Sequence, residues 1–309
     1  MTGFDPAPLS SLWERQARVL IVKTGAAGDV LRTTPLLRRL TACRVDWLTA
    51  PEHVELIPAW LAQPLGGVER LPRGAHYDVV LSLEDDAGLL REVFGRISAR
   101  KVLGAYVTPT GQATYSAEFE AWFDMGLIGR YGLPAANRLK LRNTLTYQQH
   151  LFRGCGLEFA GEEYVMPVDL PESRLTGEIA FAPESGARWP MKRWRYHEAC
   201  IEHFSRLCRV NILPMRQTLR EHISDVKGHR VVVCNDSLPM HVAIGLGKRC
   251  VAFFTCTSPA EIHGYGRLTK LVSPRLEEFF YRRDFEAAAT EAIPLEAGIA
   301  AIQAALNAP

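Results

Sequence analysis

Three short stretches carry residue types that can do chemistry. In VLIVKTGAAGDVLRTTP, Val19 to Pro35, an apolar run meets Gly25 and Gly28, and Asp29 follows at once. A dinucleotide fingerprint needs G-x-G-x-x-G at a strand-to-helix turn, and a P-loop ends in G-K-[ST]. Here the glycines are spaced G-x-x-G and Gly28 is followed by Asp29 and Val30, so neither motif is met. An acid facing a helix N-terminus would also repel a phosphate. The loop reads as one that presents Asp29, with Gly28 and Thr33 beside it. The plainer alternative is a carboxylate that caps a helix.

The second stretch, VVVCNDSLPMHVAIGLGKRCVAFF, ends a buried strand in Asn235, Asp236 and Ser237. Pro239 suits a first helical turn, with Asp236 or Ser237 as N-cap. First-turn N–H groups and the helix dipole then make an anion site, and His241 can donate to a phosphate oxygen there. The third, APESGARWPMKRW, carries Pro183, Ser185 and Gly186 in a loop, then Lys192 and Arg193 at the start of the next helix. A flexible ammonium reaches a phosphate as a point charge. Taken singly, these are an ordinary capped helix and a solvated basic turn. As loops at corresponding strand ends of one domain, they read jointly as a diphosphate site.

The elements that must position these residues alternate strand and helix, which implies α/β with parallel sheets. Strands are expected at Val19–Val22, Arg44–Leu48, Val79–Leu83 and Lys101–Leu103. Thr34–Leu40 reads as the rest of a helix, and Asn137–Cys155 as another. A Pro-rich bridge, Val165 to Gly177, is the natural linker. The alternation then restarts with strands at Glu178–Ala182, Val210–Leu213, Arg230–Cys234 and Cys250–Phe254. Helices are expected at His197–Leu207, Leu219–Val226, Met240–Leu246 and Phe285–Leu306. Two domains are expected, residues 1–168 and 169–309, with a ligand cleft at the carboxyl ends of the strands. The final helix, about 285–306, is a candidate to pack back on the first domain.

Bulk composition excludes several classes. The 309 residues are 47% hydrophobic and 23% charged, ordinary for a globular protein. A net charge of +2 gives no reason to expect nucleic acid as a partner. The seven cysteines are odd in number and form no C-x-x-C. With no signal peptide they imply a reducing, cytoplasmic setting. No apolar run reaches the roughly 18 residues of a spanning helix, so membrane contact, at the inner face, is peripheral at most.

The three motifs, in this order and spacing, resemble glycosyltransferase family 9, the bacterial ADP-heptose:lipopolysaccharide heptosyltransferases and their relatives. TCTSPAEIHGYG, Thr255 to Gly266, resembles the loop after the last motif; residues 104–165 resemble the family much less. The resemblance implies a GT-B fold, two Rossmann-like domains facing across a cleft, with acceptor on the first and nucleotide-sugar on the second. It implies Asp29 as catalytic base, Lys192 as diphosphate lysine, and Asp236, Ser237 and His241 as the donor-contacting turn. The implied reaction is inverting and metal-independent, with ADP-heptose as favoured co-substrate, no cofactor and a glycan or glycoside acceptor. Absence of a D-x-D motif fits. The sequence departs from the family in two ways. The strand–helix unit that brings a ribose-binding glutamate is shortened or lost, with Glu261 a substitute by proximity only, and Leu238 replaces the usual glycine.

Chemically, Asp29 can take the proton of an acceptor hydroxyl. Lys192, the helix N-terminus and Arg193 can neutralise the leaving diphosphate. On the acceptor side, Glu84, Asp85 and Asp86 end a strand and can bind hydroxyls, or be a solvated loop. Tyr115, Phe119, Trp122 and Phe123 read first as a helix core face. Lys140, Arg142, Tyr147 and Gln148 can line the same mouth. The competing reading is a non-catalytic sugar-nucleotide-binding relative with a decayed donor site; an oxidoreductase is disfavoured by the incomplete glycine fingerprint.

Overall fold

Short apolar runs without alternation are what strands covered on both faces require. In the computed structural model, which describes residues 9–13 and 16–308, such runs form the centres of two mostly parallel sheets. The chain divides into two units, Met1–Val165 and Met166–Pro309.

The first unit runs β1 (Arg18–Val22), α1 (Ala27–Thr33), β2 (Arg44–Thr49), β3 (Gln63–Gly66), β4 (Ala75–Ser82), α2 (Ala87–Phe94), β5 (Ile97–Val107), β6 (Ala113–Tyr115), α3 (Glu120–Phe123), α4 (Leu133–Arg142) and α5 (Tyr147–Gly154). Its sheet has the order β3-β2-β1-β4-β5-β6, parallel except for the β5–β6 pair. Strand order reverses between β1 and β4, and ligands of open α/β sheets bind at such a switch point. Leu20 and Val22 of β1 and Val80 of β4 pack with Leu48, Tyr77 and Val93 in one buried cluster.

Two helix expectations are corrected here. The helix after β1 is α1, Ala27–Thr33, and the stretch expected as its remainder, Thr34–Leu40, is instead a 3-10 helix, Thr34–Arg39, with Pro35 in its first turn. The single helix expected over 137–155 is two. Asn143 folds its amide back on Leu145, and Thr146 with Gln149 forms a capping box that starts α5 afresh.

The second unit runs β7 (Gly177–Ala182), α6 (His197–Ser205), β8 (Val210–Ile212), α7 (Leu219–Lys227), β9 (His229–Asn235), α8 (Leu238–Gly245), β10 (Arg249–Phe254), β11 (Leu268–Val272), α9 (Leu276–Phe279), α10 (Ala287–Glu291) and α11 (Leu295–Asn307). All its strands are parallel, in the order β11-β10-β9-β7-β8. The switch point lies between β7 and β9, the two strands whose ends carry Lys192 and Asp236.

The expected long C-terminal helix is also two, separated before Pro294. Ile302 and Ala305 of α11 join Val231, Val233, Val251 and Phe253 in the second unit's own core. The helix thus closes a face of the sheet that precedes it. It comes close enough because residue 298 is glycine: a Cβ there would meet Trp194 Cη2 at 2.5 Å. Among the described residues, no helix is long and apolar enough to cross a membrane.

Candidate functional site

Chemistry-bearing residues gather at the switch point of each unit. In the first, β1 delivers Lys23, Thr24 and Gly25, and β4 delivers Glu84. The Glu84 Oε1 atom accepts from the amides of Thr24 (2.6 Å) and Gly25 (3.2 Å) and from Lys23 Nζ (3.0 Å). Glu84, expected on the acceptor side, therefore clamps the loop that leads to Asp29. Burial alone would lower the Lys23 pKa, but Asp29 and Glu84 outweigh it and hold the ammonium raised.

Asp29 lies in the first turn of α1, not in a loop. The N-cap position is Ala26, whose carbonyl accepts from the Asp29 amide at 2.8 Å. The Asp29 carboxylate is about a third exposed, with Oδ1 2.9 Å from Arg32 Nη2 and Oδ2 3.8 Å from Lys23 Nζ. Arg32, buried, lies over the Tyr147 ring at 4.1 Å from its centroid. Thr33 Oγ1 donates to the Asp29 carbonyl (2.7 Å) and shares a hydrogen bond with the Tyr147 hydroxyl (2.7 Å). Burial holds the Tyr147 phenol above its usual pKa, so it remains a neutral donor. Gln148 donates to the Arg32 carbonyl. Tyr147 and Gln148 thus form the wall behind Asp29, and Thr33 belongs to that wall.

The remaining first-unit candidates scatter. Gly28 is buried within α1. Asp86 is the N-cap of α2, accepting from the Leu89 amide at 2.7 Å, so it serves the helix. Asp85 Oδ2 stands beside Gly126, 3.9 Å from where a Cβ would be. Of the aromatics, Phe119 and Phe123 are core, while Trp122 packs edge-on against Tyr147 at 5.1 Å. Sequence reasoning misses Lys23 and Arg32. The signal for Arg32 is its place three residues after Asp29, on the same helix face.

In the second unit Lys192 and Asp236 meet. Lys192 Nζ lies 2.9 Å from Asp236 Oδ2 and donates to the Asp236 carbonyl at 2.8 Å. Thr257 Oγ1 donates to the same Oδ2 at 2.7 Å. Burial would push the Asp236 carboxyl up, but Lys192, Thr257 and His241 together hold it below the usual range. Asp236 therefore holds the lysine in place. Ser237 is the N-cap of α8, yet its hydroxyl donates to the Asn235 carbonyl (3.3 Å) and caps nothing. Pro239 sits in the first turn, and His241 is buried in the helix.

Asn235, which sequence reasoning passes over, ties these loops together. Its amide donates to the Pro183 carbonyl (2.9 Å), and its Oδ1 accepts from the Trp194 amide (3.1 Å) and His197 Nε2 (3.0 Å). Burial pushes His197 down to about 4, so it is neutral at physiological pH. Trp194 stacks on Phe253 with centroids 3.9 Å apart, and Thr255 Oγ1 donates to the Met191 carbonyl at 2.5 Å. The turn holding Lys192 is thus pinned on both sides. Arg193, expected at the diphosphate, instead turns to Glu198 and Glu184 on the surface. Ser185 stays in the loop, half-buried. Glu261 is buried in the loop after β10.

The Asp236 pair sets a pH dependence. A carboxyl with a depressed folded-state pKa stabilises the fold fully above its unfolded value, about 4, and that contribution is lost on further acidification. Wild-type protein is therefore expected to melt at a higher temperature than Asp236→Asn at neutral pH, and to lose that margin below about pH 4. Differential scanning fluorimetry of the two proteins across pH checks this; a margin independent of pH would mean the ion pair is not its source.

Residues 183–284 match the family model for glycosyltransferase family 9 (heptosyltransferase). No curated protein matches the chain. Among solved structures, the chain is similar to the dodecameric iron-containing heptosyltransferase TibC of enterotoxigenic E. coli in complex with ADP-D-beta-D-heptose. That match has TM-score 0.59 and 10% identity, and covers 94% of this chain and 76% of that one. It is similar to the E. coli ADP-heptose lps heptosyltransferase II (TM-score 0.54, 13% identity, 94% and 98% covered). It is also similar to E. coli heptosyltransferase WaaC with ADP-2-deoxy-2-fluoro heptose (TM-score 0.50, 14% identity, 85% and 96% covered). At such identities the likeness shows the fold, the paired Rossmann-like α/β domains of the GT-B class. Among the described residues, no three of His, Cys, Asp and Glu gather as ligands for a metal ion.

Proposed function

We propose, from the premise that the chain is a family 9 heptosyltransferase-like glycosyltransferase, that it moves a sugar from a nucleotide-diphosphate donor to a hydroxyl of a glycan or glycoside. Heptose and ADP are the favoured sugar and nucleotide, the transfer inverts the anomeric centre, and no metal ion takes part. The first domain carries the acceptor and the second the donor. One observation carries the reading: Lys192, fixed by Asp236, and the first turn of α8, uncapped by any side chain, stand at the switch point of one sheet. Family neighbours solved with ADP-heptose support the choice of donor.

The chemistry divides between the units. An acceptor hydroxyl within about 3 Å of the Asp29 carboxylate gives up its proton as its oxygen bonds to the anomeric carbon. The sugar–phosphate bond breaks on the opposite face, and its electron pair goes to the diphosphate. The Lys192 ammonium, the α8 N–H groups and His241 stabilise that developing charge. A fixed ammonium and a helix dipole do what a divalent cation would otherwise do. Seven thiols, none in a disulfide, support a cytoplasmic setting.

The test is a thermal-shift screen across nucleotide-diphosphate sugars, followed by turnover of the best one in excess EDTA. A donor at 100 times its Kd adds about 2.7 kcal/mol of stability, a shift of several degrees. ADP-heptose is expected to give the largest shift, and turnover is expected to survive chelation. Absence of any shift would remove the donor site, and activity lost in EDTA but restored by Mg2+ or Mn2+ would remove metal independence.

A further inference from the structure

The first unit carries a helix with little to pack against. Of the ten residues of α4, only Ala136 is buried. Apolar side chains in and just before it face water: Leu127 is 54% exposed, Tyr131 62%, Leu133 51% and Leu139 40%. Singly, exposed leucines mean nothing. Here four large apolar groups fall within thirteen residues, 127–139; the other exposed ones include a second group, Leu207, Ile212 and Met215, in the second unit.

The charge of the same stretch is one-sided. Lysine plus arginine and aspartate plus glutamate are 36 and 34 over the whole chain, close to balance. From Met125 to Leu157, however, there are five cations, Arg130, Arg138, Lys140, Arg142 and Arg153, and no acid. Arg130 is drawn to Asp124 and Glu120 just upstream. Arg138 and Arg142 are exposed on α4, beside Leu139.

Each half of this pattern excludes a class of partner. A soluble polyanion has no use for exposed leucines, and an apolar protein interface has no use for unbalanced cations at its centre. Leucine and tyrosine inserted at headgroup depth, with arginines lying among anionic headgroups, satisfy both. We propose that α4 and the turn before it seat the first unit on an anionic lipid bilayer. Along the chain, α4 leads through residues 143–146 into α5, whose Tyr147 touches Thr33 and Arg32. The surface itself depends on none of the chemistry proposed above.

Co-sedimentation of the full-length protein with vesicles, in the absence of donor, tests this. Vesicles of phosphatidylcholine alone are compared with an equimolar phosphatidylcholine–phosphatidylglycerol mixture, at low and high salt. Wild type is expected to pellet with the anionic vesicles and to stay in solution with the neutral ones, with binding weakened by salt. Each cation near such a surface contributes about fivefold, so Arg138→Glu with Arg142→Glu is expected to lower partitioning at least about tenfold. Leu133→Ser with Leu139→Ser is expected to lower it as well, which a purely ionic site would not show. All four residues are exposed or near-exposed, so both variants should keep the wild-type melting temperature. Wild type left in the supernatant, or variants that partition like wild type, would overturn the proposal. So would a switch from dimer to monomer in the leucine variant without any vesicle binding, which would assign the surface to a second copy of the chain.

Discussion

Asp29→Asn is expected to slow transfer by about 100- to 10,000-fold, the usual effect of losing a general base, with donor affinity nearly unchanged. Asparagine keeps the size of the side chain and an oxygen that can accept from Arg32, now 2.9 Å from Asp29 Oδ1. It cannot take a proton. The helix should persist: its N-cap is Ala26, which makes no side-chain cap hydrogen bond, and asparagine can occupy a first turn as aspartate does. An acid in a first turn gains at most about 1 kcal/mol from the helix dipole, too little to unfold the unit when lost. Single-turnover rate, donor Kd and the circular dichroism spectrum are the three readouts. A variant keeping more than about a tenth of the wild-type rate would make Asp29 an ion-pair residue of α1, since the expected general-base effect is far larger. Unaltered donor binding with abolished turnover also separates an enzyme from a mere binder of sugar nucleotides.

Lys192→Ala is expected to weaken binding of nucleoside diphosphate by about 100-fold, the range for truncating one member of a largely desolvated charge pair. Two effects add. The diphosphate loses its ammonium, and Asp236, 14% exposed, is left as an uncompensated carboxylate in an anion site. Breaking a fully buried pair costs about 3–5 kcal/mol of stability; partial exposure here places the expected loss below that range. Because the second effect is repulsion, Lys192→Ala combined with Asp236→Asn should bind the diphosphate better than Lys192→Ala alone. This coupling is what a double-mutant cycle reads. Calorimetry on the four proteins gives the answer; equal affinity of wild type and Lys192→Ala would take the lysine out of the site. Acceptor affinity should be the same in all four.

Much of this is legible in the residues. The central strands announce themselves because a strand buried on both faces reads as an unbroken apolar run, as RVLIV and VVVC do. The edges do not. Strand β3 is QPLG, with a proline and a glycine, and β11 is LTKLV, half exposed; each is a strand because a neighbour offers it hydrogen bonds, a fact absent from its own composition. Proline and the capping box decide where helices break, at Thr146 and Pro294, and both signals are local enough to have been read. Lys192 and Asp236 can be paired on paper, since both follow strands that punctuation brackets clearly. The clamps cannot. Glu84 reaches the Thr24 amide only because β4 lies in parallel register beside β1, and Asn235 reaches Pro183 only because β9 lies beside β7. Arg193 misleads for a related reason: its neighbour Lys192 points inward, and the chain sends the next side chain outward to Glu198.

The close approach of Gly298 to Trp194 also orders events in time. Trp194 is held from one side by Asn235 and Phe253, and from the other by α11 and the Ile293 carbonyl, which accepts from its indole N–H at 2.9 Å. Helix α11 is made after every other element of the second unit. On the ribosome, then, the strands and the Lys192 turn emerge while one face of the indole is still bare to water. Domains fold as units as they are synthesised, and this unit lacks a wall until residue 305 or so has left the tunnel. The packing that pins Trp194, and with it the turn holding Lys192, is therefore complete only once the last helical turns are in place.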